Sequence, residues 1–320
     1  MLRLMMPEPK TIMLPPPLGS RGIKEPQRSQ GYVGDRTPSA GEYHDSDFCW
    51  ESCAEVGESA VRRQRDEFAA NRKNINGIVH GGDRVAEDPA WDIFHRRHSA
   101  ARFFKEKRYL SLEFPMLLSG NRHPGEPFLH VAEVGCGCGS SLLPVLKSNP
   151  SAVATAVDVS PTAIDLLLEA ATRCGIESHR IRAFVLDASS YERALIDVEA
   201  DCALCIFALS ALMPCDMATM LQHCHDALRR GGLLLFRDYG RYDMAQLRFS
   251  GEQIVDPDAL VYKRQDGTLA SFFTVEEVVL LAQSIGFQVK ECRYATTIMR
   301  NRKDAKEMKR VFVHGIFEKL

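Results

Sequence analysis

At 320 residues and 45% apolar side chains, the chain can build one large core plus an extension, since a single core saturates at roughly 250–300 residues. Its 40 basic and 42 acidic residues nearly cancel, which excludes a polycation and leaves nucleic-acid contact to local patches. No apolar run reaches the roughly 18–20 residues of a membrane span, so no membrane partner is expected, and ten irregularly spaced cysteines, most of them inside apolar runs, suit a reducing compartment, the cytoplasm or also the nucleus ahead of the mitochondrion.

Residues 1–45 are rich in proline and poor in acids, with Arg3, Lys10, Arg21, Lys24, Arg28 and Arg36 among them. A disordered basic tail is expected. The prolines of Leu14-Pro15-Pro16-Pro17-Leu18 argue against an amphipathic targeting helix. Residues 46–125 read as a helical extension. Ser59 is expected to cap a helix through Val61–Phe68, Gly81-Gly82-Asp83 breaks it, and a second helical stretch is expected from Trp91 to about Leu118.

From residue 126 to 320 short apolar strands alternate with helices. Leu129–Val134 is the first strand, Ala152–Val157 the second, ending at Asp158, and Ile181–Leu186 the third, ending at Asp187. Cys202–Leu209 is apolar almost throughout, as a strand covered on both faces must be. A helix with Met217, Met220, Leu221 and Leu228 leads to Gly231-Gly232 and a fifth strand, Leu233–Phe236. This alternation predicts a parallel α/β sheet. After a helix ending at Gly286, Phe287–Ile298 and Arg310–Glu318 look like two strands with no crossover helix between them, a hairpin that adds an antiparallel strand. Cys202 and Cys205 have CxxC spacing, but no second pair completes a zinc set, and His223-Cys224-His225 falls on a predicted helix, so no metal is expected.

The chemistry concentrates in Glu133-Val134-Gly135-Cys136-Gly137-Cys138-Gly139, which follows a strand and opens a helix. Glycines there let the backbone approach a ligand and present amides at a helix N-terminus. Such a loop alone does not separate methyltransferases from dinucleotide-binding dehydrogenases. Three features do: Glu133 two positions before Gly135, carboxylates Asp158 and Asp187 at the ends of strands two and three for ribose and adenine, and the reversed terminal strand. They point to a methyltransferase that uses S-adenosylmethionine. Asp158 and Asp187 have an alternative reading as local caps. A nicotinamide oxidoreductase is disfavoured by the placement of Glu133 and by the lack of a tyrosine–lysine pair.

Trp91-Asp92-Ile93-Phe94-His95, Arg102-Phe103-Phe104-Lys105, Glu133–Gly137, Leu233–Asp243, Asp266-Gly267-Thr268, Phe272-Phe273-Thr274 and Asn301-Arg302-Lys303 together resemble the tRNA 3-methylcytidine branch of the methyltransferase-like family. The resemblance implies a class I, Rossmann-like S-adenosylmethionine-dependent methyltransferase with a mostly parallel seven-stranded sheet and its last strand antiparallel. It assigns the cofactor to Trp91, His95, Gly135, Asp158, Asp187 and Ile206, beside Glu133 and Gly137 of the loop; His95 departs from the tyrosine usual at that position. It implies methylation at position 32 of the anticodon loop in serine, threonine or arginine tRNAs, with a helper protein such as seryl-tRNA synthetase in some branches.

Strand four ends Ile206-Phe207-Ala208-Leu209-Ser210, unlike the Asn/Asp-Pro-Pro-Tyr ending of exocyclic-amine methyltransferases. Methylation of cytosine N3 leaves positive charge on the base, and a carboxylate nearby would stabilise it. Asp238, just past strand five, is the candidate, with Arg237, Tyr239 and Arg241 positioning the base and its phosphate. Two basic clusters, one containing Arg96, Arg102 and Lys105 with Lys107 and Arg108, the other Arg302 and Lys303 with Lys309 and Arg310, are candidate contacts for the RNA backbone. The alternatives are a methyltransferase of the same fold acting on a protein or small molecule, and a non-catalytic RNA-binding subunit.

Overall fold

The computed structural model describes residues 44–74, 89–98, 105–118, 129–191, 195, 198–300 and 307–320. Of the tail expected over residues 1–45, residues 1–43 lie outside these, as do the Gly81–Asp83 break and Arg102, Arg302 and Lys303; Asp45 is held instead, its carbonyl accepting from the Thr296 amide at 2.7 Å and its carboxylate paired with Arg293 at 2.6 Å.

The first helix, α1, spans Glu51–Asn74. It starts before Ser59, whose hydroxyl donates back to the Glu55 carbonyl at 3.0 Å inside the helix instead of capping it. Helix α2 covers Ala90–Arg97. The long second helix expected to reach Leu118 is not continuous: Lys105–Lys107 are non-helical, and only Leu110–Glu113 (α3) resumes it. The Lys107 amide donates at 2.7 Å to the Ser140 carbonyl, so this stretch is tied to another part of the chain instead of to its own turn.

The main body follows in chain order: β1 (His130–Val134), α4 (Leu142–Ser148), β2 (Val153–Asp158), α5 (Pro161–Arg173), β3 (Ile181–Val185), β4 (Ala200–Ile206), α6 (Pro214–Ala227) and β5 (Leu228–Tyr239). Pro161 occupies the first turn of α5, and Ser160 caps it by accepting from the Ala163 amide. Gly231-Gly232 falls within β5, not before it, because the strand starts where α6 ends.

Three short strands, β6 (Ile254–Asp256), β7 (Val261–Lys263) and β8 (Leu269–Ala270), form a separate sheet before α7 (Val275–Ile285), β9 (Phe287–Arg300) and β10 (Glu307–Lys319). Helix α7 has a capping box, Thr274 with Glu277, and ends at Gly286 with φ 105°, a left-handed conformation that glycine adopts without steric cost.

The large sheet runs β3-β2-β1-β4-β5-β10-β9. Strands β1 to β5 pair in parallel, and β10 is antiparallel to both β5 and β9. The reversed last strand is therefore as expected, but it lies between β5 and the edge strand β9. Strand β4 shows why two cores are needed. Ala203 and Cys205 face a core with Met217, Met220, Leu221 and Val278; Cys202, Leu204 and Ile206 face the other, with Leu142, Leu146, Ile164 and Leu167. Alternation along a strand thus separates Cys202 from Cys205. Among the described residues no group of three or more His, Cys, Asp or Glu side chains is placed to hold a metal, and no helix is long and apolar enough to cross a membrane.

Helix α1 packs on the small sheet, not the large one. Val61 shares a core with Ile254, Leu260, Tyr262, Ala270 and Phe272. Gln64 donates to the carbonyls of Gln246 and Phe249 at 3.0 and 2.8 Å and accepts from the Tyr262 hydroxyl at 2.8 Å. Trp50, just before α1, stacks instead on Tyr294 of β9 in the large sheet, with centroids 4.4 Å apart. The N-terminal extension and the insertion after β5 therefore share one core, while α2 docks on α5.

Candidate active site

The loop after β1 crosses the carboxyl ends of the parallel strands, where ligands of such sheets bind. Gly135 and Gly137 have φ of 75° and 51°. A Cβ on Gly135 would lie 2.7 Å from Ala208 Cβ, so only glycine fits there. Around this loop one cavity is lined by Trp91, His95, Glu133, Gly135, Gly137, Asp158, Asp187 and Ile206, all eight of the residues singled out for the cofactor.

Each acid of the cavity is held by a different device. Asp158 Oδ2 accepts from the Gly137 amide at 2.8 Å and Oδ1 from the Ser160 amide at 3.0 Å, tying the ends of β1 and β2 together. Burial pushes its carboxyl up, against the pull of those amides and of nearby His95. Helix α5 is capped by Ser160, so capping is not the role of Asp158. Asp187 is exposed and accepts from the Ser189 amide and hydroxyl at 2.9 and 2.7 Å, which leaves its other oxygen outside that turn. Glu133 is 1% exposed, and its Oε2 has no hydrogen-bond partner. Burial raises its pKa to about 7, opposed by Lys107 and by a bond from Ser141 and reinforced by Asp158.

His95 and Trp91 project from α2 over the loop. A Cβ on Gly137 would stand 3.8 Å from His95 Cε1, so the imidazole roofs that glycine. Burial lowers the His95 pKa, partly offset by Asp158 and Asp92, and favours a neutral ring. Asp92 fixes α2: Oδ1 accepts from Ser160 Oγ at 2.6 Å and from the Thr162 amide at 3.1 Å, and Oδ2 from Arg96 at 2.6 Å. Burial works against ionisation of Asp92, but these bonds outweigh it and hold the carboxyl well below its usual range.

The structure adds residues that the sequence reading placed elsewhere or missed. Lys107, grouped with the RNA-facing cations, lines the cavity instead: its Nζ donates to Ser140 Oγ and lies 3.3 Å from Ser141 Oγ. No periodicity marks it, because the segment is not helical. Phe207, the residue after β4, also lines the cavity and has φ 58°, a strained value for a bulky side chain. Its ring lies 5.0 Å from Tyr239 and 5.6 Å from Phe312.

The three residues expected to act on the base lie behind this wall. Asp238 is fully buried, and its carboxylate accepts from the Ser210 amide at 2.9 Å and the Tyr239 amide at 2.8 Å. Arg237 donates to Glu113 in a buried pair, and His314 Nδ1 lies 2.8 Å from the same Glu113 oxygen. The Tyr239 ring packs behind Phe207. These residues hold the floor and back wall and do not line the cavity, a consequence of β5 being a central strand covered on both faces. Arg241, expected to hold phosphate, donates from Nη2 to both carboxylate oxygens of Glu277 at 2.7 and 2.9 Å. Among the other expected RNA contacts, the Arg96 side chain is half exposed beside Asp92 and Lys105 is exposed. Arg310 is paired with Asp243 at 2.8 Å.

The strand order, with ligand groups gathered at the carboxyl ends of β1, β2 and β4 and just past β3, is that of class I S-adenosylmethionine-dependent methyltransferases. Residues 132–234 match the family described as methyltransferase domain. A SAM-dependent methyltransferase from Anabaena variabilis shares the fold, with a TM-score of 0.54 over 77% of this chain and 99% of its own at 14% identity. Over 235 residues, 72% of this chain and 70% of the relative, the sequence is 36% identical to tRNA N(3)-methylcytidine methyltransferase Mettl2 of Drosophila melanogaster. It is 33% identical to tRNA N(3)-cytidine methyltransferase METTL6 of Homo sapiens over 233 residues, covering 72% of this chain and 79% of that one. The chain belongs to the tRNA N(3)-methylcytidine methyltransferase family, and its cofactor is S-adenosylmethionine. The cavity suits that molecule: it offers an unpartnered buried carboxylate oxygen on Glu133 for a cationic amine, and bare backbone at Gly137.

Proposed function

We propose that this protein transfers a methyl group to N3 of a cytidine in the anticodon loop of tRNA, at position 32. The observation that supports this most is the single cavity uniting Glu133, Asp158 and Asp187 with Phe207, in a chain one-third identical to enzymes named for that product. S-adenosylmethionine supplies a methyl group made electrophilic by its sulfonium. Asp158 accepts from the ribose hydroxyls, Asp187 and the flanking Leu186 and Ala188 receive the adenine, and Glu133 and Lys107 face the charged amino-acid end. Trp91 and His95 close over it from α2 and exclude water.

Cytosine N3 is unprotonated at neutral pH and has a free lone pair once the base is unpaired, so no general base is required and alignment carries the rate. Phe207 presents the wall against which the base is held, and Asp238, through Ser210 and Tyr239, positions that wall. Arg96 and Lys105 are proposed contacts for the RNA backbone, in serine, threonine or arginine tRNAs, with seryl-tRNA synthetase as a candidate helper protein.

The test is transfer of labelled methyl groups to total tRNA, followed by nucleoside mass spectrometry. Labelled 3-methylcytidine that disappears with Asp158→Ala is expected. Label in a different nucleoside, or in protein or small molecules and not in tRNA, overturns the substrate.

A further inference from the structure

A second cavity, of about 570 Å³, opens beside the small sheet and is lined by Tyr239, Ala245, Arg248, Phe249, Gln253, Arg264, Gln265, Asp266 and Phe272. Its size lies within the roughly 300–1,000 Å³ of small-ligand sites. None of its guanidinium, amide or carboxylate groups has a part in the proposed methyl transfer. Two guanidinium groups share it with the rings of Phe249, Phe272 and Tyr239. Phe249 is stacked on Tyr262 with centroids 4.7 Å apart, and Tyr239 packs on Phe272 at 5.7 Å, so the rings are fixed before any ligand arrives. Arg264 is braced by Thr268 and by the Leu269 carbonyl, and its charge also acts on the buried Asp238 carboxylate. Arg248 is exposed at the end of a short helical turn, Gln246–Arg248. The one acid, Asp266, has Oδ1 engaged by the Thr268 amide and hydroxyl at 3.0 and 2.7 Å.

Rings that present π-faces, cations for a phosphate, and amide and carboxylate groups for base edges are the equipment of a site for an unpaired nucleotide. Its place relative to the methyl-transfer cavity is set by one contact: Tyr239, which lines the second cavity, lies 5.0 Å from Phe207, which lines the first. We propose that the second cavity binds an unpaired nucleotide of the substrate RNA next to the methylated cytidine, its base against Phe249 and Tyr239 and its phosphate on Arg248 and Arg264. This rests on the reading of tRNA as the substrate.

The experiment uses the full chain and tRNA that the wild type methylates, and compares Arg248→Ala with Arg173→Ala, an exposed arginine of α5 outside both cavities. For Arg248→Ala the Kd for tRNA is expected to rise about five- to tenfold, and the slope of log K against log salt to fall by about one phosphate contact. Arg248→Lys is expected to keep that slope, and S-adenosylhomocysteine affinity is expected to stay at the wild-type value in both variants. A 4-thiouridine placed beside the target should photo-crosslink to the segment 245–266. Arg248→Ala behaving like Arg173→Ala overturns the site, and a crosslink to that segment from the methylated position itself overturns the neighbour assignment. A wild type that methylates no tRNA overturns the substrate reading instead, and this inference with it.

Discussion

Lys107 and Glu133 share Ser141 as a hydrogen-bond partner, Lys107 Nζ lying 3.3 Å from its hydroxyl and the Glu133 carboxylate accepting from it. One cation and one acid from segments 26 positions apart thereby face the same end of the first cavity, where the carboxylate and ammonium of an amino acid would each find an opposite charge.

With its pKa raised by burial to about 7, Glu133 holds a proton in the free protein at pH 6, and a cationic ligand must displace it. Affinity for S-adenosylhomocysteine is therefore expected to tighten between pH 5.5 and 7, by up to about tenfold per pH unit, and to level off above. Stability of the free protein runs the other way. The native state binds more protons than the unfolded chain between about 4.5 and 7, so the contribution of Glu133 declines as pH rises through that window. Calorimetric titrations of wild type and Glu133→Gln check both, since the variant should show neither slope.

Asp158→Ala removes the acceptor of two backbone amides and the proposed ribose contacts together. Cofactor affinity is expected to fall about a hundredfold, from the loss of two charge-assisted hydrogen bonds of about 1.5 kcal/mol each. Titration with S-adenosylhomocysteine measures it, and an unchanged Kd would remove Asp158 from the site.

Asp238→Asn separates a bracing carboxylate from a catalytic one. Asparagine can accept from Ser210 or Tyr239 but not from both, and its NH2 then opposes an amide donor. A loss of about 1–3 kcal/mol in denaturant unfolding is expected, with lower turnover that tracks the loosened wall behind Phe207. Wild-type stability combined with a large loss of kcat would instead put the carboxylate at the reacting base.

Glu113→Ala leaves Arg237 buried without its carboxylate, and His314 loses the same oxygen. Breaking a buried pair from one side costs about 3–5 kcal/mol, so chemical denaturation should show a loss of that order. A change below about 1 kcal/mol, the range of exposed pairs, would mean that water reaches Arg237.

Much of the first cavity's lining was legible because its signals are local. A glycine loop after an apolar strand, an acid two residues before it, and acids at two strand ends are read from spacing, and the parallel sheet then carries all of them to one edge. Less of the extension was legible. Ser59 resembles a cap in sequence but lies mid-helix, because tertiary contacts of Trp50 and Gln64 with the insertion hold α1 from Glu51 onward. The three short strands of the insertion, two to three residues each, carry too little periodicity to be seen.

From sequence alone came the order of the strands and helices from β1 to β5 and of α7, β9 and β10, the alternation that buries both faces of β4, the loop and its acids, and the family. Only the tertiary structure decided where β10 inserts, that Lys107 turns into the cavity while Arg237 and Asp238 stay behind its wall, and that α1 covers the small sheet. The reason is physical. The glycine loop and the strands around it are set largely by neighbours along the chain, whereas the direction of a charged side chain depends on which distant groups offset its desolvation, here Ser140 and Ser141 for Lys107 and Glu113 for Arg237.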